Sequence, residues 1–279
     1  MVEDIADQVT GALHEDRAFD DVTAALLPKT MQAKARIITR EGMILCGRPW
    51  VEAVFVQLDA QVTLAWQGDD GDRFSENDLL CEITGPAWAL LAGERTALNF
   101  LQTLSATATQ AWEYSQVLID GQTQLLDTRK TLPGWRLAQK YAVRCGGGHN
   151  HRHDLAEAYL IKENHLTAVD GIANAVQIAR EQHPELLLEV EVETLDELKQ
   201  ALDQGVERVL LDNFDLDAMK QAVVLNKGRA QLEVSGNVTI KTLPAIAATG
   251  VDFVSVGAIT KHIQAIDLSM QLELESSPS

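Results

Sequence analysis

The sequence has few cysteines and no long apolar run. Its three cysteines, Cys46, Cys81 and Cys145, form no C-x-x-C pair. This argues against a disulfide framework or a zinc finger and favours a reducing compartment. No segment approaches the roughly 18 uninterrupted apolar residues of a membrane-spanning helix, and the acidic start MVEDIADQVTGALHED is unlike a secretory signal. We therefore expect a cytoplasmic protein.

Positive charge is also scarce. The 23 Lys and Arg residues face 41 Asp and Glu residues, which gives a net charge of −18. Such a charge repels nucleic acids and anionic membranes, so neither is an expected partner. With 279 residues, of which 46% are hydrophobic and 23% charged, the chain has room for two modest globular domains or one large barrel.

One segment departs from this acidic background. Residues 127–165 contain seven Lys and Arg, four Asp and Glu, and four of the seven histidines. A local excess of positive charge in an acidic protein indicates a strongly anionic ligand. The alternative is a solvated helix surface, and Arg136, Lys140 and Arg144, at i, i+4 and i+8, fit that alternative.

The first hundred or so residues predict a small α+β module. Helical patterns cover residues 3–13 and 48–58, and strand patterns lie in the segments 33–47, 61–74 and 78–86. Apolar residues then recur at helical spacing over 87–118 without an internal proline. This last pattern predicts one long helix.

From Leu125 onward, short apolar runs alternate with helical segments. The predicted strands begin near residues 125, 159, 187, 208, 231 and 253. This rhythm is typical of βα units, in which a buried parallel sheet is covered by helices. In a barrel all six strand ends meet at one rim, whereas an open doubly wound sheet binds ligands in a crevice at a switch point. Polar or small residues follow all six strands, which favours the ring.

The predicted rim has a cationic part, an acidic part and a part made of small residues. In chain order these are Arg129, Lys130 and Lys162, then Glu191 and Asp212, then Ser235–Asn237 and Val256–Ala258. Late βα loops of barrels commonly bind phosphate. The carboxylates suit sugar hydroxyls, directly or through Mg²⁺, and the cations suit carboxylates or a departing phosphate. We therefore expect a sugar phosphate at this rim.

The segment HNHRHDL suggests a different site. His149, His151 and His153 would face one way on a strand, as zinc ligands do. They follow three glycines instead of an apolar strand, so nothing in the sequence holds that geometry. A zinc site is therefore not favoured, and Cys145 has no assignable base that would make it a nucleophile.

Several long motifs together resemble the quinolinate phosphoribosyltransferase family, the decarboxylating enzymes of NAD synthesis also called nicotinate-nucleotide pyrophosphorylases. The motifs are ERTALNFLQTLSATAT, LLDTRKTLPGWRLAQKYAVRCGGGHNHRHDL, AYLIKENHL, EVEVETLDEL, LLDNF, LEVSGNVT and VDFVSVGAITKH. The resemblance runs from about Ile5 to Met270. It implies an N-terminal α/β sandwich domain (1–110), an incomplete, open α/β barrel (111–265), and a segment (266–279) that returns towards the N-terminal domain.

The resemblance also implies roles for individual residues in a homodimer, in which one subunit's N-terminal domain covers the other's barrel. Arg95 would enter the site from the partner chain and bind a quinolinate carboxylate. The remaining implied substrate residues are Arg129, His151 and Arg152 for the carboxylates, Lys130 and Lys162 for pyrophosphate and the reacting centre, Glu191 and Asp212 for ribose and Mg²⁺, and Ser235, Gly236, Asn237, Val256, Gly257 and Ala258 for the 5′-phosphate. Thr128 is implied to bind substrate as well, without a specified group. Lys130, Lys162, Glu191 and Asp212 would be catalytic.

One part of the motif differs from the family pattern. The chain has GGGHNHRHDL where GGGANHRLGL is expected, so His149, His153 and Asp154 are additional. The implied reaction joins quinolinate to phosphoribosyl pyrophosphate (PRPP) with loss of CO₂ and pyrophosphate. Three alternatives remain open: a homologue acting in molybdate metabolism, a sugar-phosphate-binding regulator without turnover, and a zinc hydrolase.

Overall fold

The structure is a computed structural model that describes residues 2–274. These residues divide into two units. The first unit takes in the chain up to residue 110, residues 137–146, and the chain from residue 263 onward. The second unit contains residues 111–136 and 147–262.

The first unit is built around an antiparallel sheet. Its strands are β1 (Gln32–Thr39), β2 (Met43–Ile44), β3 (Thr63–Trp66), β4 (Arg73–Phe74), β5 (Leu79–Pro86) and β12 (Leu268–Leu274). Its helices are α1 (Val2–Glu15), α2 (Arg48–Leu58), most of α3 (Ala87–Leu118) and nearly all of α4 (Arg136–Cys145). The sheet order is β12-β1-β5-β3, and β2 pairs with β4. Alternate residues of β1 from Ala33 to Thr39 are buried, as a strand with one covered face requires.

The second unit is a parallel sheet covered by helices. Its strands are β6 (Gln124–Leu126), β7 (Ala158–Ile161), β8 (Leu187–Val192), β9 (Arg208–Asp212), β10 (Gln231–Ser235) and β11 (Phe253–Ser255). Its helices are α5 (Glu163–Ala168), α6 (Ile172–Gln182), α7 (Leu195–Asp203), α8 (Leu216–Asn226), α9 (Leu243–Ala247) and α10 (Ala258–Lys261). The order β6-β11-β10-β9-β8-β7 joins the first strand to the last. Within residues 2–274, β6 and β7 do not pair, so the predicted open barrel is confirmed.

Capping residues begin the helix that separates β8 from β9. Thr194 precedes α7, and its hydroxyl accepts a hydrogen bond from the Glu197 N–H at 3.2 Å. The Glu197 carboxylate in turn accepts a hydrogen bond from the Thr194 N–H at 3.1 Å. This reciprocal pattern satisfies two backbone donors that lack helical partners. Helix α7 therefore begins three residues after the end of β8, so the loop between them is short.

Two parts of the chain bear on the predicted domain boundaries. Helix α4 follows the start of the predicted barrel, yet residues 137–146 group with the first unit. The Gln139 amide there donates to the Thr107 hydroxyl at 3.5 Å, and Ala138, Ala142 and Val143 are buried. At the other end of the chain, β12 pairs antiparallel with β1 from Leu268 to Leu274. Residues 275–279 of the predicted returning segment lie outside the described residues.

Among the helices described between residues 2 and 274, none is both long enough and apolar enough to cross a bilayer.

Candidate active site

A cavity of about 1040 Å³ lies at the carboxyl ends of the six parallel strands. It is lined by fourteen of the fifteen predicted substrate residues: Thr128, Arg129, Lys130, His151, Arg152, Lys162, Glu191, Asp212, Ser235, Gly236, Asn237, Val256, Gly257 and Ala258. The fifteenth, Arg95, is exposed on α3 in the first unit. The strand ends thus bring together side chains that are far apart in the sequence, as a parallel barrel does.

The cavity is cationic although the chain is acidic. Its lining has five Lys and Arg side chains and three Asp and Glu side chains. The Lys and Arg residues are Arg129, Lys130, Arg152, Lys162 and Lys261. A concave surface with an excess of one charge attracts ligands of the opposite charge. The cavity therefore suits an anionic ligand.

Two guanidinium groups form part of this charge. Burial lowers the pKa of Arg152, and the nearby charge of Arg129 lowers it further. The Arg152 Nη1 donates to the carbonyl oxygen of Ala158 at 2.9 Å. The Nε of Arg129 is buried and has no hydrogen-bond partner among the described residues. Two neighbouring cations with an unused donor fit a carboxylate, which accepts paired N–H groups.

The loop that carries His151 and Arg152 is attached to the end of β6. Asp127 is fully buried. Its Oδ1 accepts a hydrogen bond from the His151 backbone N–H at 2.9 Å, and its Oδ2 accepts one from the Asn150 amide at 2.6 Å. Asp127 was not a predicted site residue. Its place two residues before the predicted cation Arg129, at the end of an apolar strand, was the available signal.

The imidazole of His151 is held at both nitrogens. Its Nδ1 accepts a hydrogen bond from the Arg152 backbone N–H at 2.7 Å. Its Nε2 lies 3.0 Å from Glu189 Oε2 and 3.5 Å from Glu233 Oε2. Burial disfavours the charged ring, yet the hydrogen bond to Glu189 and the charges of both glutamates raise the pKa of His151 above its usual value. His151 therefore links a buried carboxylate pair to the backbone of Arg152.

Those two glutamates are the main residues that sequence reasoning missed. Glu189 is 0% exposed and Glu233 is 1% exposed. Arg208 lies opposite Glu189 on β9, and its Nη1 is 3.6 Å from Glu233 Oε2. Burial, followed by the charge of Glu189, raises the pKa of Glu233 to about 8. The signal was present in the strands, because each glutamate lies two residues before a predicted site residue, Glu191 or Ser235, and side chains two apart share a face.

The predicted acidic residues of the rim each have a protein partner. The Lys162 Nζ is in close contact with Glu191 Oε2. The Asp212 carboxylate accepts hydrogen bonds from the Ser235 hydroxyl and the Asn213 amide, both at 2.8 Å. These contacts fix the carboxylates at the cavity wall. Oriented in this way, they suit sugar hydroxyls or a hydrated cation.

A side chain added at either of two glycines in the late loops would crowd a neighbouring side chain. Gly236 has φ +93°, and a Cβ there would lie 2.4 Å from the Asn213 side-chain oxygen. A Cβ on Gly257 would lie 2.7 Å from the Lys130 side chain. The missing side chains leave the backbone open to the cavity at both loops. Such openings let a phosphate approach main-chain N–H groups.

The three histidines of HNHRHDL do not converge. His149 is exposed, and its backbone bridges to Leu126. The His153 Nδ1 lies 3.0 Å from Glu157 Oε2, and Asp154 accepts hydrogen bonds from the following backbone. Among the described residues, the possible metal-binding groups that include a histidine contain only His151. The additional residues therefore shape a loop.

The basic residues of α4 are not a uniformly solvated face. Arg144 is exposed, as that interpretation expects. Lys140, however, is only 1% exposed, and Arg136 donates to the His153 carbonyl oxygen at 3.2 Å. The solvated-surface interpretation is therefore wrong for Lys140, whose burial depends on packing that a helical pattern does not reveal.

Comparisons with known proteins cover nearly the whole chain. The model described as "Quinolinate phosphoribosyl transferase, N-terminal domain" matches residues 20–105, and the corresponding C-terminal domain model matches residues 107–271. The chain is 36% identical to a probable nicotinate-nucleotide pyrophosphorylase (carboxylating) of Bacillus subtilis, over 94% of this chain and 91% of that protein. The structure of the nicotinate-nucleotide pyrophosphorylase from Francisella tularensis aligns with a TM-score of 0.95 at 47% identity, covering 98% of this chain and 97% of that one. NadC from Streptococcus pyogenes aligns with a TM-score of 0.95 at 38% identity, covering 99% of both chains. This chain belongs to the quinolinate phosphoribosyltransferase family.

Proposed function

We propose that the chain transfers the phosphoribosyl group of PRPP to the ring nitrogen of quinolinate. The ring loses one carboxylate as CO₂, and the products are nicotinate mononucleotide, CO₂ and pyrophosphate. The reaction belongs to de novo NAD biosynthesis. The chain is an enzyme of this type, a decarboxylating phosphoribosyltransferase.

The observation that carries this proposal is that one cavity is lined by neighbouring guanidinium groups, by carboxylates and by small loop residues. Arg129 lies close enough to Arg152 for its charge to lower the pKa of Arg152, and a pair of neighbouring guanidinium groups suits the two carboxylates of quinolinate. Glu191 and Asp212 line the cavity together with the small residues of the late loops. A phosphoribosyl group needs this combination, because its hydroxyls need acceptors and its phosphate needs N–H donors.

The chemistry depends mainly on positioning and on charge. The pyridine nitrogen attacks the anomeric carbon of PRPP while the bond to pyrophosphate breaks. Positive charge builds up on the ribose in this step, and Glu191 and Asp212 would stabilise it. Lys130 and Lys162 would offset the negative charge of the departing pyrophosphate. When the C2 carboxylate then leaves as CO₂, its electron pair remains at ring C2, beside the positive nitrogen, until a proton replaces it.

We infer that the reaction uses Mg²⁺. Glu191 and Asp212 would hold it, in part through water and substrate oxygens. Their existing contacts with Lys162 and Ser235 support an indirect mode, since Mg²⁺ commonly keeps water and binds substrate phosphates. Bound there, the ion would neutralise charge on pyrophosphate.

A homodimer with shared sites is the second part of the proposal. The exposed position of Arg95 on α3 leaves its guanidinium available to a partner chain. The partner would supply this cation to the quinolinate carboxylates. Localisation in the cytoplasm is proposed on the scattered cysteines of the sequence.

Incubation with quinolinate, PRPP and Mg²⁺, followed by mass analysis of the products, tests the function. We expect nicotinate mononucleotide and CO₂ in equal amounts, and none when either substrate is left out. Lys162→Ala is the matched inactive control. Tight binding of PRPP without product would support the regulator, and turnover of another substrate in place of quinolinate would support the molybdate homologue.

A further inference from the structure

Two cysteines lie side by side in the first unit, outside the cavity described above. The sulfur atoms of Cys46 and Cys145 and a carboxylate oxygen of Asp70 all lie within 4.8 Å of one another. Cys46 directly precedes the turn into α2, and Cys145 is the last residue of α4. They are 99 positions apart in the sequence, so packing alone brings them together. We call them the thiol pair.

The surroundings of the thiol pair argue against a metal site. The Asp70 carboxylate accepts hydrogen bonds from the backbone N–H groups of Gly47 and Arg48, at 3.1 and 3.2 Å. It also accepts one from the Tyr141 hydroxyl, at 2.8 Å. These donors occupy the oxygens that a metal would use. The two cysteine sulfurs therefore lie beside a carboxylate, that of Asp70, which is already hydrogen-bonded.

The two cysteines differ in residue exposure and in ionisation. Cys46 is 0% exposed, whereas Cys145 is partly exposed. Burial raises the pKa of Cys46 well above its usual value. The hydrogen bond from Cys46 lowers the pKa of Cys145 below its usual value, although burial and the charge of Asp70 act in the opposite direction. Cys145 is therefore the readier thiolate, and the buried Cys46 thiol lies next to it.

We propose that Cys145 is a site of reversible oxidation and that Cys46 is its resolving partner. A thiolate on a partly exposed residue, with a second cysteine beside it, is the arrangement of redox-sensitive thiols. Hydrogen peroxide is the oxidant by class. The product is an intramolecular Cys46–Cys145 disulfide, which a small dithiol reverses.

Two steps balance this reaction. In the first, the Cys145 thiolate attacks one peroxide oxygen, so that an S–O bond forms, the O–O bond breaks and hydroxide leaves. This oxidises Cys145 to a sulfenic acid and reduces the peroxide by two electrons. In the second, the Cys46 sulfur attacks the Cys145 sulfur, the S–S bond forms, and the sulfenic oxygen leaves as water with the Cys46 proton. Overall, two thiols and one peroxide give one disulfide and two waters.

The experiment treats the reduced full-length protein with about one equivalent of hydrogen peroxide, following the stoichiometry of thiol oxidation. Remaining thiols are alkylated after unfolding, and the protein is digested for peptide mass mapping. We expect the thiol count to fall from three to one. A cross-linked peptide should join Cys46 to Cys145, and dithiothreitol should restore all three thiols.

Three variants separate this mechanism from general oxidation. Cys46→Ser should stop at a Cys145 sulfenic acid that dimedone traps, and Cys145→Ser should leave Cys46 reduced. Cys81→Ser is the control: Cys81 is buried, which raises its pKa to about 12, so this variant should still form the disulfide.

Several results would overturn the proposal. These are retention of both thiols in the treated wild type, a disulfide between two chains or with Cys81, and stoichiometric zinc in the reduced protein. The wild-type peptide map decides the matter even if a variant fails to fold.

Discussion

The Nε2 of His151 lies 3.0 Å from Oε2 of Glu189, a carboxylate with no exposed surface. Because the Nδ1 accepts the Arg152 N–H, this contact orients the loop that carries a predicted quinolinate ligand. We expect Glu189→Gln to lower the pKa of His151 and to raise KM for quinolinate more than KM for PRPP. Leaving a buried polar group without its partner costs about 1–3 kcal/mol.

Steady-state kinetics with each substrate varied, together with an NMR titration of His151, measure the effect of Glu189→Gln. Glu193→Gln changes an exposed glutamate of the same segment and is the matched control. Equal increases in the two KM values would contradict a positioning role towards quinolinate.

Loss of either guanidinium in the cavity should affect one substrate. Arg129→Ala and Arg152→Ala should each weaken quinolinate binding by about 1.5–3 kcal/mol, because a charge-assisted pair is lost. PRPP binding should stay nearly unchanged. Calorimetric titration of each ligand measures both affinities, with the exposed Arg144→Ala as the control. Similar losses for the two ligands would show that the carboxylate pocket lies elsewhere.

Removal of Mg²⁺ should abolish turnover, because the charge on pyrophosphate would no longer be offset. A zinc-selective chelator should have no effect, since the histidines of HNHRHDL do not converge. Product formation is measured after treatment with EDTA and after addition of Mg²⁺ back to the sample. Activity that survives EDTA, or that returns only with zinc, would reverse this assignment.

The buried Glu233 should make stability depend on pH. Its pKa of about 8 lies above its usual value of 4.5, so the folded state holds a proton that the unfolded state releases. The contribution of protonated Glu233 to the free energy of unfolding is fully present below about pH 4.5 and is lost as the pH rises towards 8.

Glu233→Gln should remove this dependence. The unfolding free energy of the wild type, relative to that of Glu233→Gln, should therefore fall as the pH rises across this range. The fall should approach about 1.4 kcal/mol per pH unit. Urea denaturation at several pH values measures it, and parallel curves for the two proteins would contradict a raised pKa.

The shared-site dimer predicts recovery of activity in mixtures. Arg95→Ala and Lys162→Ala should each be inactive alone. In a mixed dimer, one site then carries both lesions and the other carries none. Equal mixing makes about half the dimers mixed, so activity should return to roughly a quarter of wild type by two-fold symmetry. If subunit exchange is demonstrated and no activity returns, Arg95 does not act across the interface.

Local sequence pattern was sufficient for most of the elements. The predicted segments 48–58 and 87–118 are helices α2 and α3, because apolar spacing and the absence of internal proline act over a few turns. The six barrel strands begin within a residue of their predicted positions. Short apolar runs between helical segments suit buried parallel strands and little else.

The excess of Lys and Arg in residues 127–165 and the long motifs were also visible in the sequence. They led to the family and to fourteen residues that line one cavity. Only the tertiary structure decided which charges meet. The contact of His151 with Glu189 and Glu233 depends on the register of three parallel strands and on a loop attached to Asp127. The burial of Lys140 and the approach of Cys46 to Cys145 depend on how α4 packs. Periodicity records which face of an element is covered, but it carries no information on which distant residue covers it.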